Sequence, residues 1–114
     1  RYPWGQCTWW AATRRADIGK PIPGWGNAAT WAGSAASAGY TVDGSPSAGS
    51  VIVFQPGVLG ASAGYGHVAM VEEVRGDGSI LISESNALGL GVVSTREISA
   101  SQLAAAGSGV RYIH

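Results

Sequence analysis

The sequence predicts an α+β fold in which an antiparallel sheet packs against N-terminal helices. Three observations carry this. The longer helical stretches come first, before Tyr40. From Tyr40 onward the apolar residues fall into short runs bounded by Gly and Pro. Two of those runs flank Gly76-Asp77-Gly78, a strong hairpin signal.

The elements follow in order. Cys7 to about Ala16 (CTWWAATRRA) contains no Gly or Pro and reads as a helix, ended by Gly19 and Pro21. Asn27 is a good N-cap for a second helix over 28–38, closed by Gly39, with Ala28, Trp31, Ala32 and Ala35 on one stripe. Ser50–Gln55 (SVIVFQ) lies between Gly49 and Pro56 and reads as a buried strand. His67–Arg75 and Ser79–Asn86 form the hairpin, and Val92–Ile98 is a third strand beside it. Ser99 starts a short helical turn through Ala106, and Val110–Ile113 is a last strand. Gly57–Gly66 (GVLGASAGYG) reads as a loop.

Composition narrows the function classes. The 114 residues are expected to form one domain (1–114) excised from a larger protein, an inference drawn from a start at Arg1 only six residues before the cysteine. Lys plus Arg (7) balance Asp plus Glu (7), so there is no basic field for nucleic acid or anionic lipid. No apolar run is long enough for membrane insertion as a helix, and no signal peptide is visible. A lone cysteine excludes an intrachain disulfide and a thiolate metal cluster. No metal or cofactor is expected.

The lone cysteine and His67 concentrate the chemistry. Cys7 sits where the first helix begins, where unpaired N–H groups and the helix dipole favour thiolate over thiol. The alternative is a buried structural cysteine. Gly5 allows close backbone approach, and the Cys7 N–H is placed to hold an oxyanion. His67 opens its strand. A two-residue turn at Asp77-Gly78 pairs Gly76 with Ser79, Val71 with Glu84 and Ala69 with Asn86, which sets His67, Glu84 and Asn86 on one face. That register brings Asn86 nearer to His67 than Glu84. His67 is therefore either a base with polar partners or simply a polar residue at a strand start. Trp9, Trp10 and Trp31 read as core. Trp25, in the loop PIPGWGN, reads either as core or as exposed beside the site, and Tyr65 reads as lining the groove.

Several ordered motifs resemble the CHAP family (cysteine, histidine-dependent amidohydrolase/peptidase). YPWGQCTWWA at Tyr2–Ala11 is similar to its nucleophile motif, and Trp25-Gly26-Asn27-Ala28 followed by Trp31 is similar to its second-helix motif. Pro46–Phe54 resembles its first core strand, with Ser50 in place of the more usual acidic residue. GHVAMVEEV from Gly66 resembles the histidine motif, with Glu84-Ser85-Asn86 downstream. The resemblance implies a papain-like fold and cleavage of peptidoglycan amide bonds, either between lactyl-muramic acid and the first L-alanine or within the stem peptide or cross-bridge. It implies Cys7 as nucleophile, His67 as general base and Glu84 as the orienting acid, with Asn86 a further polar member. Tyr2 and Gln6 are candidate oxyanion donors, and Trp25 and Tyr65 candidate substrate contacts. The family's calcium site ahead of the cysteine is not expected, since no Asp or Glu precedes Cys7.

On this reading the partner is bacterial peptidoglycan, with other modules of the same parent protein, in a secreted, cell-wall-associated setting. The alternatives are a wall-binding or interaction module without hydrolysis, and a thiol amidase or transferase acting on another amide.

Overall fold

The computed structural model describes Tyr2–His114; the expectation drawn from Arg1 lies outside the described residues. Helix α1 spans Cys7–Asp17 and α2 spans Trp31–Ser37. Strands β1 (Val42–Asp43), β2 (Val51–Phe54), β3 (His67–Val74), β4 (Ile80–Ser85) and β5 (Val93–Ile98) follow. Helix α3 (Ala100–Ala106) and β6 (Val110–Ile113) complete the order. The strands form one six-stranded antiparallel sheet in the order β1-β6-β2-β3-β4-β5. No helix among the described residues is long and apolar enough to cross a membrane.

Sheet alternation sorts the apolar side chains into two cores. Val51, Val53, Val68, Met70 and Ile113 face α1 and α2, where they meet Ala11, Trp25, Ala28, Trp31 and Ala35. Ile52, Phe54, Ala69, Val71, Ile80, Ile82 and Ile98 face the other way, under Leu103 and Ala106 of α3 and under Val58 and Leu59. Strand β2 is buried throughout, as its continuous apolar run requires.

Three polar anchors fix α1, the helix that bears Cys7. Arg14 pairs with Glu72 through Nε at 3.1 Å and Nη2 at 2.9 Å. Trp10 Nε1 donates to Ser83 Oγ at 2.9 Å. Arg15 is buried, and its guanidinium donates to three carbonyls: Lys20 (3.0 Å), Gly49 (2.8 Å) and His114 (3.1 Å). These bonds satisfy a buried cation with main-chain dipoles and tie α1 to the end of the chain.

Several expectations need correction. The second helix starts with a 3-10 turn over Ala28–Thr30, and the Asn27 side chain does not cap it. Thr30 Oγ1 instead donates to the carbonyls of Trp25 and Asn27. The two-residue strand β1, paired with β6, is too short to leave a periodic signal. The turn is one residue longer than a two-residue turn, with the Arg75 amide donating to the Ser79 carbonyl and Val74 opposite Ile80. A bulge at Glu72 adds a second one-residue shift, so Val71 faces Ile82 rather than Glu84. Two single shifts restore face parity. His67, Glu84 and Asn86 thus keep the common orientation that one slip alone would have destroyed.

Candidate active site

The site lies at the end of the sheet where β3 begins and β4 closes. Cys7 is the first residue of α1, so its N–H has no intrahelical acceptor. The preceding Gly5 has φ +85°, and an added Cβ would lie 2.7 Å from the Gly91 amide nitrogen. Its carbonyl accepts from the Gly91 amide at 3.1 Å and from Ser85 Oγ at 2.9 Å. The residues ahead of the cysteine are thereby stitched to the β4–β5 loop. Gly66 does the same for His67. At φ +71° an added Cβ would lie 2.5 Å from the Phe54 carbonyl oxygen, so only glycine lets the loop turn into β3 there.

His67 Nε2 donates to Glu84 Oε1 at 2.9 Å. That leaves Nδ1 for the Cys7 sulfur, with which His67 shares a hydrogen bond. Burial pushes the Cys7 thiol up, but the His67 hydrogen bond, the Val68 amide, the His67 charge and the Thr8 amide outweigh it and hold the thiol below its usual range. Burial pulls His67 down, yet bonds to Cys7 and Glu84 and the charges of both raise it to about 9. Glu84 is held low despite burial, by His67 and by Arg96. At neutral pH His67 is therefore an imidazolium with an ionised carboxylate behind the ring, and its charge and hydrogen bond favour the thiolate form of Cys7.

Arg96 on β5 has no counterpart in the sequence reading. It grips Glu84 through Nε and Nη2, both at 3.1 Å, and its Nη1 donates to the Leu59 carbonyl at 2.8 Å. Its guanidinium lies 5.5 Å from the centroid of the Phe54 ring, which also packs against His67. One signal could have found it. Ile82 faces Arg96 and Glu84 faces Ser94 across β4 and β5, so alternation puts Arg96 on the Glu84 face.

The remaining candidates separate. Asn86 adopts φ +66° beyond the end of β4, and its Nδ2 donates to Gln6 Oε1 at 3.1 Å. It therefore orients Gln6 rather than His67, and the arithmetic preference for Asn86 over Glu84 beside the histidine fails because the chain leaves the sheet there. With its Oε1 engaged by Asn86, Gln6 borders both hollows that meet at Cys7. The Tyr2 hydroxyl donates to the Pro23 carbonyl (2.8 Å) and accepts from the Trp25 amide (2.7 Å), so its proton is directed into the Pro23–Trp25 loop and not toward an oxyanion. Trp25 is buried, edge-on to Trp31 and Tyr40 with centroids at 5.6 Å and 5.1 Å, and is core rather than a substrate contact. The loop that carries it folds back over α2, where aromatic packing outcompetes exposure. Trp31 is buried; Trp9 and Trp10 are half-buried. Tyr65 is 64% exposed and stands where two hollows meet at Cys7. One, of about 570 Å³, includes Leu59, His67, Glu84, Asn86 and Arg96 in its walls. The other, of about 580 Å³, is walled by Tyr2, Pro3, Gly24, Gly26, Asn27 and Ala28.

Comparison with known proteins agrees with this geometry. The family model described as CHAP domain matches residues 1–86. The chain is 54% identical over 86 residues to the probable autolysin SsaALP of Staphylococcus aureus, covering 75% of this chain and 30% of that protein. It is 44% identical over 115 residues to the N-acetylmuramoyl-L-alanine amidase sle1 of the same organism, covering 99% of this chain and 31% of that one. A crystal structure of an N-acetylmuramoyl-L-alanine amidase from Staphylococcus aureus superposes with a TM-score of 0.91 at 42% identity, covering 99% of this chain and 31% of the other. The chain thus spans less than a third of the length of these relatives. With its cysteine at the head of α1 and its histidine at the head of β3, both within the matched residues, the chain belongs to the CHAP domain family.

Proposed function

We propose that this domain is a peptidoglycan hydrolase that cleaves the amide between the lactyl group of N-acetylmuramic acid and L-alanine. The observation that carries the reading is the Cys7–His67–Glu84 chain at a helix N-terminus, open to a cleft on both sides of the sulfur. The choice of bond is supported by the likeness to N-acetylmuramoyl-L-alanine amidases. The substrate places the domain at the cell wall. Its small share of the relatives' length fits a catalytic module of a larger secreted protein.

The Cys7 thiolate attacks the amide carbonyl carbon. The oxyanion is held by the Cys7 N–H and the Gln6 side-chain amide, which Asn86 aims. The His67 imidazolium gives its Nδ1 proton to the amide nitrogen, the C–N bond breaks and the stem peptide leaves as an amine. A thioester remains on Cys7. His67, now neutral, takes a proton from water, and the hydroxide attacks the thioester. The lactyl carboxylate departs and the thiolate–imidazolium pair is restored. Net, one amide and one water give one acid and one amine. Glu84 and Arg96 are positioning residues: they orient the ring and keep it basic without touching substrate.

The test is amine release from purified sacculi. Wild type should expose new L-alanine amino groups and Cys7→Ala should expose none. Release that persists in Cys7→Ala refutes the nucleophile, and new termini other than L-alanine refute the bond.

A further inference from the structure

We infer that the cleft is divided at Cys7 by reaction half: the arm containing His67 seats the amine half of the substrate, the stem peptide, and the opposite arm seats the acyl half, the muramoyl sugar. This rests on the amidase reading above. The argument is one of proton delivery. The leaving nitrogen must lie within hydrogen-bond reach of the group that protonates it. His67 lines only the hollow that runs toward Leu59, Ser94 and Arg96. The amine half must therefore extend that way.

The acyl carbon stays bonded to Sγ, with its oxygen beside the Cys7 N–H and Gln6. Both of these residues border the two hollows alike. Its substituent is left with the other direction, past Tyr65 into the arm walled by Pro3, Gly24, Asn27 and Ala28. The chemistry of the walls agrees. Among the described residues, no charged side chain lines the second arm. Its glycines, alanine and proline leave a smooth wall for a bulky, uncharged sugar ring. A volume of about 580 Å³ is ample for one ring. The first arm is bordered by Ser62 and Ser94, whose hydroxyls are suited to peptide amides.

The experiment compares kcat/KM on three synthetic substrates: muramoyl-dipeptide, the same sugar with a pentapeptide stem, and the disaccharide with the dipeptide. Wild type should gain from lengthening on either side. Ser94→Trp, which fills the amine arm, should reduce the stem-length gain at least tenfold and keep the glycan gain. Asn27→Trp, at an exposed side chain in the acyl arm, should do the reverse. Ala87→Trp, on the loop bordering the amine arm, repeats the first test should Ser94→Trp fail to fold. An exchanged pattern, an equal loss of both gains in each variant, or a wild type indifferent to length overturns the inference. Failure of the amidase reading is separately visible, because wild type would then release no L-alanine amine from any of the three.

Discussion

Replacing Arg96 with methionine removes a guanidinium while keeping an apolar stem over Phe54. Glu84 has only 4% of its side chain exposed, and Arg96 supplies two of its three side-chain hydrogen bonds. Removing one partner of a buried ion pair is worth about 3–5 kcal/mol when water cannot enter. The Arg96 side chain is 35% exposed, so water will replace part of the interaction, and about 2 kcal/mol is expected. In a domain of this size that lowers the melting temperature by ~8 °C. The Glu84 carboxyl also loses a nearby cation that favours its charged form, so its pKa rises. The acid limb of the kcat/KM profile should then move toward neutral pH, as protonated Glu84 ceases to hold the imidazolium. Arg96→Lys restores the charge without the two-pronged geometry and should recover part of the limb but less of the stability. The assay is amine release from sacculi across pH, beside thermal unfolding monitored by circular dichroism. An Arg96→Met protein with wild-type melting and an unmoved acid limb would refute the role assigned to the guanidinium.

Other consequences can be measured alongside. Loss of the imidazolium proton should end activity on the alkaline side with a limb near pH 9. Glu84→Gln removes a charge that raises His67, so this limb and the NMR titration of the ring should both move to lower pH; an unmoved titration would count against Glu84 as the partner that matters. Asn86→Ala should reduce kcat about tenfold with little change in KM, less than the loss of a whole oxyanion donor, and should leave the alkaline limb in place because Asn86 aims Gln6 and not His67. A shifted limb would return Asn86 to the histidine. Gly66→Ala forces a Cβ against the Phe54 carbonyl at positive φ and should lower stability by about 2 kcal/mol, read from denaturant unfolding.

Most of the fold was legible because local signals were strong. The apolar run at Val51–Phe54, the hairpin glycines and the Gly-free stretch after Cys7 each specify an element within a residue or two. What was not legible depended on distant contacts. The bulge at Glu72 is set where Arg14 of α1 draws that carboxylate, a contact 58 residues away in sequence. Trp25 looked equally suited to exposure, and only the rings of Trp31 and Tyr40 decide its burial. The pairing of His67 with Glu84 rested on resemblance, since strand arithmetic favoured Asn86 and carried no knowledge of where the chain leaves the sheet. Arg96 went unread although its face was derivable, because nothing in its own neighbourhood marks it as more than a solvated strand residue.

The position of β6 ties the folding of the domain to its far end. Strand β6, the last of the six in chain order, is an interior strand, inserted between β1 and β2, and the carbonyl of His114 completes the set of acceptors around Arg15 on the cysteine's helix. A nascent chain halted before residue 110 exposes an open edge on β2 and leaves a buried cation one acceptor short. Closing the sheet around β6 and completing the acceptors of Arg15 thus join distant parts of the domain to the helix that carries Cys7.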